Sequence, residues 1–213
     1  MPAKFPILLR VVLLAGVACS LNGQIFGPKR ATPKPAAAKP AAAKPMRKAS
    51  DLIHKQDPVK INTSLLKQIT PATVRIVVSL PKQRAYLMLG DEIVIDSPIS
   101  SGKRGHSSPS GNFSVLEKDP DHRSNIYGDF VDSSGRVVRA GISSRIDSAP
   151  SGTHYVGAPM KWFMRLTEGG VGMHIGILPG YPASHGCIRM PPDGAKLFYD
   201  NVKVGTPVDV GDY

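Results

Sequence analysis

The sequence predicts a mainly β domain with one or two helices, spanning roughly residues 73–211. Three observations lead there. Apolar and polar residues alternate in short runs from Thr73 onward. Clusters of Gly, Pro, Asp and Ser separate those runs. Late in the chain, helical spacing of apolar residues occurs only at 191–203.

Each element has its own signal. Val74, Ile76 and Val78 alternate with Arg75, Val77 and Ser79, the period of a strand. Residues 84–89 and 92–96 predict two more strands, joined by a hairpin turn at Gly90-Asp91. Residues 112–118 follow a Pro-Ser-Gly turn and alternate again, which predicts one further strand. Residues 117–158 are rich in Gly, Ser and Asp with weak periodicity, and read as long loops with short strands. Loops this long form lids or binding walls, or are insertions without function; both readings stay open here. Residues 171–177 are apolar and carry His174. In the helix, Pro191 and Pro192 suit a first turn and Asp193 suits the positive end of the dipole. Ala195, Phe198 and Val202 share a face, and Gly205 stops it. Residues 207–210 predict a closing strand, and 51–72 a polar lead-in with helical character.

Charge is unevenly placed. The net charge is +11, yet residues 1–50 hold nine Lys or Arg and no acid. That leaves 18 basic against 16 acidic residues in 51–213, so the folded part is near +2. A nucleic-acid-binding domain needs a basic face on its folded part, so that class is disfavoured. Residues 1–22 read as a signal peptide: Lys4 and Arg10 precede a short apolar run ending near Ala18. The run is too short to span a bilayer. Gly16-Val17-Ala18-Cys19 resembles a lipoprotein cleavage site, which would make Cys19 a membrane anchor; ordinary signal cleavage is the alternative. Residues 23–50 form a Pro/Ala/Lys-rich linker in which Ala-Ala-Ala-Lys-Pro occurs twice. Its prolines forbid a stable helix, so it serves as a spacer or as an electrostatic tether to anionic envelope polymers. The expected location is the periplasm or cell envelope.

Two cysteines are present, Cys19 and Cys187. If Cys19 is removed or acylated, one unpaired thiol is left in an oxidising compartment, where cysteines normally pair. Around it lie His174, Ser184, His185, Gly186 and Arg189, all within 16 residues. A neighbouring imidazole and cation lower a thiol's pKa and supply a general base. Gly186 leaves room for a substrate carbonyl and frees backbone N–H groups for an oxyanion hole. Three other readings compete. Cys187 is an inert buried thiol; His174, His185 and Cys187 bind zinc, although no fourth ligand is evident; or His185 is structural.

The run Ser184-His185-Gly186-Cys187-Ile188-Arg189 resembles the core of the L,D-transpeptidase (YkuD-type) family. Four further pieces resemble that family in order: Lys82-Gln83-Arg84-Ala85-Tyr86-Leu87, Ser100-Ser101-Gly102-Lys103, Ser108-Pro109-Ser110-Gly111-Asn112-Phe113, and Lys203-Val204-Gly205-Thr206-Pro207-Val208. The likeness spans roughly 73–210. It implies a β-sandwich-like catalytic domain, 73–211, that transfers acyl groups on peptidoglycan stem peptides, with no cofactor and no metal. Cys187 would be the nucleophile and His174 its base, with His185 near substrate or supporting the thiolate. Gly186 and Cys187 would supply oxyanion N–H groups. Ser184 would line the substrate site, and Arg189 would anchor a carboxylate or fix the loop. Tyr127, Gly128, Met160 and Trp162 would line the acceptor side. The acceptor would be an amine on another stem or on an envelope protein, or water, the last giving an L,D-carboxypeptidase or cross-link hydrolase. A non-catalytic wall-binding module is the remaining alternative. Two features depart from the family pattern. Nine residues separate His174 from Ser184, fewer than in many members, and Ser108 and Asn112 stand where Thr is commoner.

Overall fold

The computed structural model describes residues 57–213. The segments read as signal peptide and linker, Cys19 and the start of the lead-in lie outside the described residues.

Among the described residues, thirteen strands form three sheets, accompanied by two helices. In the first sheet the alternating run becomes β2 (Val74–Ser79), with Val74, Ile76 and Val78 buried. It pairs antiparallel with β3 (Arg84–Leu89), which pairs with β4 (Glu92–Pro98). The lead-in adds a short edge strand, β1 (Lys60–Ile61), and one helical turn, α1 (Thr63–Leu66), capped by Asn62. On the other side β13 (Pro207–Gly211) runs parallel to β2 and antiparallel to β5 (Gly111–Ser114).

The strand expected over 112–118 is two strands. β5 stays in the first sheet, whereas β6 (Glu117–Asp119) pairs with β10 (Phe163–Arg165) in a second one. The break falls at Val115 and Leu116. Val115 exchanges backbone bonds with Gly205 and Thr206, and Leu116 donates to Arg165. Alternation continues through such a corner, so side-chain pattern alone does not show the change of sheet.

The second sheet continues from β10 to β11 (Gly172–Ile175) and then to β12 (Ile188–Met190), a parallel pair. Its inner face contributes Met164, Met173, Ile188 and Met190 to one core with Ile76, Val78, Leu87 and Ile95 of the first sheet. Two sheets sharing one core is the expected sandwich-like arrangement. The helix α2 (Pro192–Asn201) closes the core with Ala195 and Phe198, and Val202 follows at its end. A fully buried side chain the size of Phe198 or Val202 contributes about 1.5–3 kcal/mol.

Residues 117–158 are more regular than expected. β7 (Arg123–Asp132), β8 (Val137–Ser143) and β9 (Thr153–Pro159) form a third, antiparallel sheet with β7 in the middle. Its register shifts at Gly128, Phe130 and Val131, and most of β8 is exposed on both faces. Bulges and missing burial remove the period-2 signal from the sequence.

Candidate active site

The parallel β11–β12 pair sets the site. His174 lies opposite Arg189, and Met173 opposite Ile188. Side chains alternate across a sheet, so Met173 and Ile188 enter the core while His174 and Arg189 share the other face. Cys187, two residues before Arg189, falls on that face too. All three line one cavity of about 550 Å³. Its opposite wall comes from the third sheet and the residue that follows it: Ser124, Tyr127, Ala158, Pro159 and Met160.

His174 is 7% exposed, and its Nδ1 lies 2.7 Å from the Ile175 carbonyl. A carbonyl only accepts, so Nδ1 carries the hydrogen and Nε2 keeps its lone pair. Burial pushes the imidazolium pKa down to about 4; the Ile175 carbonyl opposes that, and the charges of Arg189 and His122 add to it. His174 is therefore a neutral base at pH 7.

Cys187 is partly buried and opens on the cavity. Its Sγ lies 3.8 Å from the Gly170 carbonyl. Among the described residues no hydrogen bond joins Sγ to the His174 ring. Burial pushes the thiol pKa up, against the opposing effects of the Gly172 N–H and the charges of Arg189 and Arg165. The expectation of a thiol made acidic by its neighbours is corrected: desolvation outweighs them, and the resting pair is thiol and neutral imidazole.

Other expected residues fall in different places. Ser184 is 1% exposed and donates to the Cys187 carbonyl while accepting from the Gly186 N–H at 3.1 Å. Its hydroxyl shapes the loop, although the residue borders the cavity. The Gly186 N–H expected in the oxyanion hole is thereby taken, and Gly186, at φ +120°, serves the turn. His185 is exposed; it stacks on Tyr127 at 4.5 Å and meets His106 edge-on at 4.9 Å. Partial desolvation by the rings packed on it, then the charges of Lys103, His106 and Arg189, lower its pKa. It belongs to the cavity rim with Tyr127. Trp162 is corrected: it is absent from the cavity lining and packs on Tyr199 of α2 beneath Lys196. Gly128 is a packing residue, since a Cβ there would lie 2.2 Å from the Val156 carbonyl. Met160 does line the cavity. Arg189 lays its stem over Gly176, where a Cβ would lie 2.6 Å from Arg189 Cγ. Its guanidinium has no hydrogen bond or ion pair among the described residues, so it faces the cavity as an unpaired cation. Among the described residues no three His, Cys, Asp or Glu side chains gather to hold a metal ion, which leaves the zinc reading without a ligand set.

Sequence reasoning missed the supports of the loop that carries Cys187. Ser101 O accepts from both Ala183 N and Ser184 N, and Lys103 N donates to Ser184 O. Gln83 exchanges two bonds with Ser101 from a strained backbone at φ +51°. Ser108 Oγ donates to Gly186 O at 2.7 Å. Three of the separate motif pieces, through Gln83, residues 100–103 and Ser108, thus meet at the loop of residues 184–189, whereas residues 203–208 run into β13, which pairs with β2 and β5; shared order in the chain was the only sequence signal for that convergence.

The family model for YkuD, the L,D-transpeptidase catalytic domain, matches residues 73–210. The chain belongs to this family. Solved structures similar to it include an L,D-transpeptidase from Mycobacterium smegmatis, at 26% identity over 65% of this chain and 58% of that one, with TM-score 0.49. L,D-transpeptidase 1 from Mycobacterium tuberculosis matches at 24% over 65% and 61%, with TM-score 0.46. The L,D-transpeptidase from Enterococcus faecium matches at 25% over 65% and 50%, with TM-score 0.47. This chain spans less than two thirds of the length of each. A search of the curated proteins found no match.

Proposed function

We propose that the protein is an exported peptidoglycan L,D-transpeptidase that works through an acyl-enzyme on Cys187. The observation that carries this reading is the placement of Cys187 and a neutral His174, its tautomer set by the Ile175 carbonyl, on one face of one cavity.

The steps follow from those groups. Sγ turns from Gly170 toward the imidazole and gives its proton to Nε2. The thiolate attacks the carbonyl carbon between the third, L-centred residue of a stem and the D-residue after it. A C–S bond forms, and the oxyanion is held by the Cys187 N–H. The C–N bond then breaks, and His174 returns the proton to the departing D-amino acid. An amine from a second stem attacks the thioester and gives its proton to His174; a new C–N bond forms, the C–S bond breaks, and His174 returns the proton to the departing thiolate. The unpaired Arg189 guanidinium binds a stem carboxylate. Water in place of the amine makes the same site a carboxypeptidase.

The test is turnover of purified tetrapeptide stems, followed by chromatography. Released terminal D-amino acid together with cross-linked dimers is expected. Tripeptide without dimers would assign water as acceptor. Binding without any release, unchanged in Cys187→Ser, would reject the enzyme in favour of a wall-binding module.

A further inference from the structure

We infer that Ser108 is a positioning residue that aims the Cys187 N–H at the reacting carbonyl oxygen. The inference rests on reading Cys187 as the acylated nucleophile.

A developing oxyanion is stabilised by donors already aimed at it. The donors nearest an attacking Sγ are the N–H groups of Cys187 and Gly186. The Gly186 N–H is spent on Ser184 Oγ. The Cys187 N–H therefore carries the task, and its direction follows from the peptide plane it shares with the Gly186 carbonyl. That peptide is trans, so the carbonyl and the N–H point in opposite directions. Whatever grips the carbonyl aims the N–H.

Ser108 Oγ is that grip. It donates its one hydrogen to Gly186 O at 2.7 Å and accepts from Gly102 N at 2.9 Å. With both roles used, the hydroxyl cannot rotate to another partner. Ser108 is 5% exposed and lies off the cavity lining, so it holds the carbonyl from behind the loop. The N–H is then turned to the cavity side. The grip is needed because Gly186 is the most permissive residue type and stands at φ +120°. Ser184 holds the next plane through the Cys187 carbonyl. The base under Ser108 is tight as well: a Cβ on Gly102 would lie 2.0 Å from the His106 carbonyl.

Two reactions of the same thiol separate aiming from mere folding. Iodoacetamide alkylates Sγ at a saturated carbon, and no oxyanion develops. A carbapenem is attacked at its lactam carbonyl; the C–S bond forms, the lactam C–N bond opens, and the freed nitrogen takes the proton. Ser108→Ala is expected to slow acylation by about 10- to 100-fold, while alkylation stays within about twofold of wild type. Ser108→Thr restores acylation because it keeps the hydroxyl. If the alanine variant does not fold, Ser108→Val against Ser108→Thr gives the same comparison at matched size. Equal acylation with and without the hydroxyl overturns the inference, and so does a parallel fall in both reactions. Wild-type protein that alkylates at Cys187 but never acylates overturns the reading of the site, and this inference with it.

Discussion

His174 is an imidazole kept neutral at pH 7 by its burial. A free imidazole titrates near 6.5; in this pocket the value falls to about 4. The sign is direct: below its pKa the imidazole carries a proton and cannot accept one from Cys187. Acylation is therefore expected to hold nearly constant from pH 7 to pH 5 and to fall only near pH 4. A histidine at its ordinary value would lose about twentyfold over the first of those intervals. Stopped-flow acylation against pH distinguishes the two, and an acid limb centred near 6.5 would contradict the assigned environment. At this scale much was legible. Cys187, His174 and Arg189 were chosen from their residue types and clustering, and the structure brings them to one cavity. The sequence did not reveal that Ser184 and Gly186 spend their polar groups on each other. Which hydrogen bond a serine makes depends on the fold of its loop.

Elements position these side chains through close contacts that small residues permit. Gly172 starts β11, two residues before His174, and a Cβ there would lie 2.4 Å from the Phe163 ring and 2.5 Å from the Met164 carbonyl. Gly172→Ala must therefore push β11 away from β10. A loss of about 1–3 kcal/mol in urea unfolding is expected, with slower acylation because His174 moves with its strand. Unchanged stability and rate would show that β10 yields without cost. The elements read correctly from sequence were β2, β3, β4, α2 and β13: burial alternates along most of β2, β3 and β13, α2 buries one face, and the Gly90-Asp91 turn marks β4 as the partner of β3. The third sheet was not legible, because β8 buries little and β7 shifts register along its length. A strand without a buried face leaves no alternation to detect. Trp162 was misplaced because its ring packs on Tyr199 of α2, a long-range contact that its position in the chain does not show.

In the domain as a whole, the two core sheets hold the chemistry and the third sheet walls it. The loop that carries Cys187 is tied to the segment after β4 through Ser100 and Ser101 and belongs to the second sheet through β12. Residues far apart in the chain, Gln83, Ser101 and Ser108, thus serve a thiol at 187. Sequence showed these pieces in order but not their convergence, which is a property of long-range pairing. Cys187 alone is expected to take the acyl group. Intact-protein mass spectrometry after incubation with a carbapenem tests it directly. One drug-sized mass increment on the wild-type chain, lost in a folded Cys187→Ala variant, is the expected result. An increment that persists in Cys187→Ala, or none on a folded wild-type chain, would contradict it.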